Sequence, residues 1–383
     1  MAKVINGGSG FDFLDEVMRL NEYSSIAEDG IIAGDSAGFM DSGSYSLNAV
    51  LSGSIYGGYA RNKITELAGE SSVGKSFFAL SMIKLFLIDN PEGGVFFFES
   101  ESAISRQQLV DFGIDVKRVY MFPVDTVQKF RHQALAILTK YIAQKKEDRK
   151  PLLMILDSLG MLSTEKEMSD IGEGKDTRDM TRAQLVKAAF RVITLKLGIA
   201  GIPLIMTNHT YKEMGLFPKT IASGGSGRAY AASSTVFLSK RKEKVGLDVV
   251  GNVIHVKMEK GRITRENSKA DTIIRYDTGL DRWYGMADFA IEAGIWKKAG
   301  SRVEIHDGSK VYQKNIYEDT DKYFTPEVMK AIDEYVGRKF LYGSAFDDII
   351  EDEEEKFIIP KQEEEDHDYF GQEGPESSAV DAD

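Results

Sequence analysis

The sequence predicts an α/β fold built on a mostly parallel, twisted β-sheet with helices on both of its faces. Short apolar runs begin after Lys63, and long segments with a helical pattern separate them. Continuous apolar strands that alternate with helices indicate a parallel sheet, because both faces of such strands are buried. The first five runs are 64–68, 95–98, 119–122, 152–156 and 203–207.

The later apolar runs, 234–238 and 253–258, follow one another without a helix between them, so we expect the sheet to end in antiparallel strands. Phe11, Leu14 and Met18 have helical spacing and predict a short amphipathic helix within 11–23. We therefore divide the chain into four regions. They are an N-terminal arm (1–50), a core (51–285), a small C-terminal region (286–346) and a tail (347–383).

The charge of the chain is concentrated in the tail. The 383 residues contain 48 Lys+Arg and 60 Asp+Glu, a net charge of −12, which taken alone argues against a nucleic-acid partner. Residues 347–383 contain 16 acids and 2 bases, or −14, so the rest of the chain carries +2. The tail has no apolar periodicity, and we expect it to be disordered. Such a tail would compete with phosphates for the basic loops or recruit basic partners, and the alternative is that it only aids solubility.

Composition excludes several classes of protein. The chain has no cysteine, so disulfides and thiolate zinc sites are ruled out, and its five histidines lack metal-ligand spacing. No apolar run approaches the ~18 residues of a membrane helix. The N-terminus lacks the pattern of a secretory signal. We therefore expect no membrane partner and a cytoplasmic protein.

A phosphate-binding loop follows the first apolar run. Residues 69–76 fit the pattern G-x-x-x-x-G-K-[ST] between a predicted strand and a predicted helix, which predicts binding of ATP. Backbone N–H groups would surround a phosphate, Lys75 would contact the β- and γ-phosphates, and Ser76 would bind Mg²⁺. The alternative is a glycine turn with a surface lysine. The loop residues are Gly69, Glu70, Ser71, Ser72, Val73, Gly74, Lys75 and Ser76.

Carboxylates end two further predicted strands. Asp157 follows the run 152–156 and is a candidate to hold the magnesium through a water molecule, although an aspartate there can also cap a turn. Glu99 and Glu101 follow the run 95–98, two residues apart. Either would serve as the base that activates water, and the strand pattern leaves both open. Solvated loop carboxylates are the alternative.

These motifs occur in an order and spacing typical of one family. The first four segments are 42–48 (SGSYSLN), 69–76, 98–101 (FESE) and 156–160 (LDSLG), and three more follow them along the chain. Those are 179–183 (DMTRA), 202–203 (IP) and 207–211 (TNHTY). From about residue 42 to 281, the chain resembles the RecA-type DNA recombinases, and within them the phage recombinases of the T4 UvsX type.

The resemblance implies a RecA-like P-loop ATPase core and an N-terminal arm that serves oligomerisation. It selects Glu101 as the catalytic base. It places His209 where cellular members carry a glutamine that senses the γ-phosphate. It also implies that Lys260 and Arg262 contact the ATP of a neighbouring subunit, where they would neutralise charge on the γ-phosphate as an arginine finger does. A basic surface turn is the alternative for these two cations.

The resemblance further implies that segments 161–182 and 211–230 line a DNA channel. Cations next to a glycine-rich backbone suit phosphate contact, and an apolar tip can insert between bases. Without the family, such segments are more often ordinary solvated loops. The candidate DNA contacts are Arg178, Arg182, Phe217, Lys219, Gly224, Gly225 and Arg228.

Adenine recognition departs from the family pattern. Where relatives place a tyrosine over the base, counting from Glu101 leads to Gln108. Arg106 lies nearby, and its guanidinium plane would stack on adenine instead.

The sequence thus predicts an ATPase that forms a helical filament on single-stranded DNA and pairs it with a homologous duplex. Single-strand-binding and mediator proteins are candidate partners. The alternatives are a hexameric helicase motor and a non-catalytic mediator that binds ATP. The glycine-rich segment 224–227 favours the recombinase over the helicase. The presence of Lys75, Glu101, Asp157 and the pair Lys260 and Arg262 argues against the mediator.

Overall fold

The structure is a computed structural model, and it describes residues 11–175, 180–212, 220–223 and 231–343. The chain divides into two units, Met1–Ser344 and Ala345–Asp383. The second unit lies outside the described residues, so the description concerns the first. Within the described part of the chain, no helix combines the length and apolar character needed to cross a membrane.

Helices and strands alternate through the core, as the apolar runs predict. The helices are α1 (Phe11–Met18), α2 (Tyr45–Ser52), α3 (Lys75–Asp89), α4 (Arg106–Asp111), α5 (Val127–Ile142), α6 (Glu165–Gly172), α7 (Arg182–Ala200), α8 (Met286–Glu292), α9 (Gln313–Glu318), α10 (Thr320–Tyr323) and α11 (Pro326–Phe340). The strands are β1 (Phe39–Met40), β2 (Tyr59–Ala60), β3 (Ile64–Gly69), β4 (Gly94–Glu99), β5 (Val119–Pro123), β6 (Leu152–Asp157), β7 (Leu204–Lys212), β8 (Thr220–Ala222), β9 (Ser234–Val245), β10 (Asp248–Gly261), β11 (Lys269–Arg275), β12 (Gly279–Leu280), β13 (Lys297–Ala299), β14 (Arg302–Glu304) and β15 (Lys310–Tyr312).

One large sheet organises the core. Its strands follow the order β12-β11-β10-β9-β3-β7-β6-β4-β5, and β8 pairs with β7 outside this path. From β9 to β5, neighbouring strands are parallel, whereas β10 is antiparallel to both β9 and β11. The predicted α/β class with a mostly parallel sheet is therefore confirmed, including its antiparallel end.

Each face of the sheet buries its own apolar core. Successive strand residues point to opposite faces, so in β6 Leu153 and Ile155 join one cluster, while Met154 and Leu156 join the other. Helix α3 covers the first face, and α5 and α7 cover the second. Burial on both faces explains why the parallel strands have continuous apolar sequences.

The C-terminal part of the described chain packs on the first of these cores. Strands β13, β14 and β15 form a small antiparallel sheet, and α11 follows it. Trp296, Ile332 and Phe340 belong to the same apolar cluster as Leu51 of α2. The region boundaries at 50, 285 and 346 remain predictions.

Helix α1 is shorter than the predicted span 11–23 and ends at Met18. The side chains of Phe13 and Leu14 are 65% and 53% exposed. The role of this arm in oligomerisation stays a prediction.

The arm is tied to the core further along. The Lys63 ammonium donates hydrogen bonds to the carbonyl oxygens of Ala33 (2.8 Å) and Gly34 (2.6 Å). The Asn62 amide donates to the carbonyl oxygen of Asp35 (2.7 Å). These contacts attach residues 33–35 of the arm to the residues that directly precede β3.

Candidate nucleotide site and subunit interface

The segment 69–76 connects the carboxyl end of β3 to the amino end of α3. Gly74 precedes the helix with a φ of +105°, and Ser72 has a φ of +59°. A Cβ on Gly69 would lie 2.7 Å from the carbonyl oxygen of Leu238, so a larger residue would displace the backbone. This tight turn at a helix amino end is a geometry that binds phosphate oxygens through backbone N–H groups.

Lys75 is buried at the start of α3. Its ammonium donates hydrogen bonds to the carbonyl oxygens of Gly69 (3.0 Å) and Glu70 (2.9 Å). Burial lowers the pKa of Lys75, although the carboxylates of Glu101 and Asp157 partly oppose that effect. A phosphate anion would favour the charged form of this ammonium further.

Asp157 ends β6 and is 2% exposed. Its Oδ1 accepts a hydrogen bond from the Thr207 hydroxyl, and Ser76 also donates to this carboxylate. Burial raises the pKa of Asp157, outweighing these hydrogen bonds, and the charge of Glu101 adds to the effect. The second oxygen, Oδ2, is buried and lacks a hydrogen-bond partner within the described structure.

The donor set around Asp157 fits a divalent cation. A buried oxygen without a partner is costly unless something binds it, and hard oxygen ligands suit Mg²⁺. The Ser76 hydroxyl lies within hydrogen-bond reach of the same carboxylate. Ser76 and Asp157 are therefore suited to hold the magnesium that the sequence predicts.

Glu101 lies just beyond the end of β4, between two hydrogen-bond donors. Its Oε1 accepts from the Ser158 hydroxyl at 2.5 Å and lies 2.8 Å from His209 Nε2. Burial alone would raise the pKa of Glu101, but the contacts with Ser158 and His209 and the Lys75 charge lower it. The carboxylate is thus kept ionised and oriented near Lys75 of the phosphate loop.

The other candidate base, Glu99, has a different environment. Its Oε1 accepts hydrogen bonds from the backbone N–H groups of Glu101 (3.1 Å) and Ala103 (3.0 Å). Glu99 therefore caps the turn after β4. This contact pattern favours Glu101 as the base, as the family resemblance does.

Lys260 and Arg262 lie at the end of β10. The Lys260 ammonium donates a hydrogen bond to the carbonyl oxygen of Ala232 at 2.7 Å. Burial lowers the pKa of Lys260, and the nearby Arg262 charge adds to this effect. The two cations therefore lie close together.

The strand register places these cations far from the phosphate loop of their own subunit. Gly261 of β10 pairs with Ser234 of β9, and Ser234 pairs with Thr65 near the start of β3. The phosphate loop begins at Gly69, at the other end of β3. Four strand residues span about 13 Å. The two ends of the sheet therefore carry two separate parts of the predicted ATPase site.

Most predicted DNA contacts lie outside the described residues. These are Arg178, Phe217, Lys219, Gly224, Gly225 and Arg228. Arg182 is described, and its guanidinium donates hydrogen bonds to three backbone carbonyl oxygens that follow Asp157. They belong to Leu159, Gly160 and Leu162. Arg182 thus anchors the start of α7 to the end of β6.

The first predicted DNA segment, 161–182, is not only a loop. Residues 165–172 form helix α6, and a capping box between Thr164 and Glu167 stabilises its first turn. Thr-x-x-Glu is a sequence signal for such a helix start, so this helix could have been predicted from the sequence. The exposed side chains of Met168 and Ile171 lie on this helix.

The stem of the second predicted DNA segment is joined to the candidate nucleotide site. The Ser223 N–H donates to the carbonyl oxygen of His209 (2.8 Å), and the Asn208 amide donates to the carbonyl oxygen of Ser223 (2.7 Å). The same amide donates to the buried carboxylate of Glu66 (2.8 Å). A shift of this stem would therefore move His209 and the Glu101 contact.

The contact of Arg106 with adenine stays a prediction. Arg106 is exposed and is the first residue of α4, while Gln108 forms the capping box of that helix with Ser105. The side chain of Gln108 is therefore occupied in capping α4.

A cavity of about 530 Å³ alongside α3 is lined by Phe77, Phe112 and other residues. This cavity was not predicted from the sequence, although the aromatic residue directly after Ser76 could have indicated an apolar site there.

The chain has a phosphate site between a strand and a helix, an acid at the end of another parallel strand of the same sheet, and a candidate base near that acid. These features define a P-loop nucleotide-binding protein. Residues 18–281 match the family model of the RecA N-terminal domain, and the chain belongs to the RecA family.

Curated relatives of this chain include one phage protein and several bacterial proteins. The "Recombination and repair protein" of Enterobacteria phage T4 is 34% identical over 249 residues, covering 65% of this chain and 62% of that protein. "Protein RecA" of Tropheryma whipplei is 28% identical over 288 residues, covering 74% and 60%. "Protein RecA" of Thermotoga maritima is 29% identical over 249 residues, covering 64% and 66%. The chain thus spans about three fifths of the length of the first two relatives.

Asp157→Asn is expected to separate stability from activity. Because burial raises the pKa of Asp157, the fold favours the protonated carboxyl, and this contribution to stability is lost as pH rises through the folded-state pKa. At pH 7 and without nucleotide, the neutral amide should raise the free energy of unfolding by about 1 kcal/mol. ATP hydrolysis should be lost. Urea denaturation at pH 7 and at pH 4 measures the effect, and equal or lower stability of the variant at pH 7 would contradict it.

Proposed function

We propose that this protein is an ATP-dependent recombinase that polymerises on single-stranded DNA and pairs it with homologous duplex DNA. It hydrolyses ATP at the interfaces between subunits and serves recombination, repair and recombination-dependent replication. The main support is the division of the ATPase residues between the two ends of one sheet. A head-to-tail assembly would join these ends and complete each site from two subunits.

ATP binding would rest on the phosphate loop. The backbone N–H groups of 70–75 and the Lys75 ammonium would hold the β- and γ-phosphates at the amino end of α3. Ser76 and Asp157 would hold Mg²⁺, which neutralises charge on the phosphates when it is bound. The exposed Arg106 remains the proposed contact to the adenine, and the cavity beside Phe77 is a second place for the base.

Hydrolysis would use Glu101 as the general base. The carboxylate would take a proton from a water molecule as the water oxygen attacks the γ-phosphorus and the bond to the departing ADP oxygen breaks. His209 lies 2.8 Å from Glu101 Oε1, so it would link this carboxylate to the γ-phosphate and to the stem of the second DNA segment. Lys260 and Arg262 of a neighbouring subunit would neutralise the charge that develops on the phosphate.

DNA binding would follow from the two segments and the charge of the body. The body carries +2, and the predicted contacts Arg178, Lys219 and Arg228 would neutralise phosphates. Phe217 would insert between bases, and Gly224 and Gly225 would let the backbone approach the strand. Arg182 is proposed to act on DNA through the loop that it anchors. Base pairing between the DNA strands would supply sequence recognition.

The assembly can be tested by electron microscopy with single-stranded DNA and a slowly hydrolysed ATP analogue. We expect helical filaments that require both ligands. Closed rings under the same conditions would contradict the proposal and indicate a helicase motor. ATP hydrolysis measured in parallel should rise on addition of single-stranded DNA, and the absence of any stimulation would overturn the recombinase assignment.

Deletion of the acidic tail is expected to strengthen DNA binding. Residues 347–383 carry −14, and such a segment competes with phosphates for cationic loops. The truncated protein should bind a single-stranded oligonucleotide roughly tenfold more tightly at low salt and depend less on magnesium or salt concentration. Fluorescence anisotropy across a salt series measures this. Equal affinity of both proteins would leave solubility as the role of the tail.

A further inference from the structure

A buried serine follows the magnesium-side acid and contacts the base. Ser158 is fully buried, and its hydroxyl donates a 2.5 Å hydrogen bond to Glu101 Oε1. Glu101 itself is partly exposed and lies beyond the end of its strand. A carboxylate at such a position rotates freely unless other groups hold it. Two side chains, Ser158 and His209, contact Glu101 Oε1. Of these two, only Ser158 is fully buried and thereby immobilised.

A second serine fixes Ser158 in turn. The Ser100 hydroxyl accepts a hydrogen bond from the Ser158 N–H and donates one to the Ser158 carbonyl oxygen, both at 2.8 Å. The Ser100 N–H also donates to the carbonyl oxygen of Asp157 at 2.9 Å. These bonds join the ends of β4 and β6 across their parallel pairing, which continues to Glu99 and Asp157.

We propose that Ser158 is a positioning residue for the catalytic base. Its hydroxyl holds Oε1 of Glu101 so that the other carboxylate oxygen, Oε2, faces the water that attacks the γ-phosphate. Because Ser158 follows Asp157 directly, one backbone segment then sets both the magnesium-side acid and the base. This inference rests on the proposed role of Glu101.

The surroundings of Glu101 determine how the role can be measured. The ionisable groups that face it are the Lys75 ammonium from α3, the Asp157 carboxyl from β6 and the His209 ring from β7. None of these is altered by a change at Ser158. Removing the serine hydroxyl takes away one hydrogen bond to the ionised carboxylate, so protonation of Glu101 becomes easier.

The test compares Ser158→Ala with Ser100→Ala in the full-length protein, with ATP and single-stranded DNA. Ser158→Ala should lower kcat about tenfold, the effect of one charge-assisted hydrogen bond, and leave KM for ATP unchanged. It should also move the acidic limb of the kcat–pH profile to higher pH. Ser100→Ala removes a half-buried serine hydroxyl that does not touch Glu101 and weakens only the support of Ser158, so it should move that limb clearly less than Ser158→Ala does. Ser158→Thr keeps the hydroxyl and should restore the wild-type profile.

Glu101→Gln separates failure of this inference from failure of the proposed function. Substantial hydrolysis by Glu101→Gln would overturn the role of the base itself. If Glu101→Gln is inactive while Ser158→Ala keeps the wild-type kcat and pH profile, only the positioning role is wrong. Equal shifts of the acidic limb in Ser158→Ala and Ser100→Ala would also overturn it, because the effect would then come from the strand junction. Circular dichroism and ATP-analogue binding confirm that each variant is folded.

Discussion

Glu101→Gln is expected to reduce DNA-stimulated ATP hydrolysis about a thousandfold, the scale of general-base catalysis, while leaving ATP binding intact. Glutamine has nearly the same size and can still accept the hydrogen bonds of Ser158 and His209, so the surrounding structure should be kept. It cannot take up the proton of the attacking water. Steady-state phosphate release gives the rate, and equilibrium binding of a fluorescent ATP analogue gives the affinity.

Glu99→Gln is the matched control for this experiment. Glu99 is two residues away, at the end of the same strand, and its side chain caps the backbone of Glu101 and Ala103. A glutamine oxygen can accept the same N–H groups, so most of the activity should remain. If Glu99→Gln were inactive and Glu101→Gln active, the assignment of the base would be reversed. If ATP binding were lost with Glu101→Gln, the variant would not report on catalysis alone, and the expectation would be wrong.

The double variant Lys260→Ala, Arg262→Ala is expected to lose hydrolysis although its own phosphate loop is intact. The register puts these residues at the opposite end of β3 from Gly69, so they would act on the ATP of a neighbouring subunit. Removing both cations should cost about a thousandfold in kcat, the scale of an arginine finger. ATP binding by the isolated subunit should change little.

Mixing two inactive proteins tests the shared site most sharply. A subunit with Lys260→Ala and Arg262→Ala supplies Glu101, and a subunit with Glu101→Gln supplies the cations. In a random one-to-one filament, about a quarter of the interfaces would combine the intact halves, so hydrolysis should return to about a quarter of the wild-type rate. Lys257→Ala is the control on the same strand, since its ammonium pairs with Glu259 at 2.8 Å. No recovery in the mixture, despite filament formation, would contradict a site built from two subunits.

Much of the fold was predictable because the parallel strands are buried on both faces. The apolar runs before Glu99 and Asp157 therefore marked strands β4 and β6 and placed both acids at the carboxyl edge of the sheet. The spacing within 69–76 similarly predicted the phosphate loop, since glycine is favoured at position 74, where φ is +105°, and at position 69, where a Cβ would meet Leu238. These predictions follow from local sequence alone.

Other features depended on contacts that the sequence does not contain. The strand pattern could not separate Glu99 from Glu101, because the difference lies in which N–H and O–H groups each carboxylate binds. The distance of Lys260 from its own phosphate loop follows from the pairing of β10, β9 and β3, which brings together residues far apart in sequence. Ser158 lies within the segment 156–160, but the sequence does not reveal its contact with Glu101, because the two residues are 57 positions apart.

We propose that this chain exchanges DNA strands by homology, using ATP. The most direct measurement is a strand-exchange reaction between a single-stranded circle and a linear duplex, with gel analysis of joint molecules. We expect joint molecules with the homologous duplex and ATP, none with a heterologous duplex of the same length, and none when ADP replaces ATP. Filament formation and ATP hydrolysis on single-stranded DNA without any joint molecules, or equal products from both duplexes, would contradict the claim.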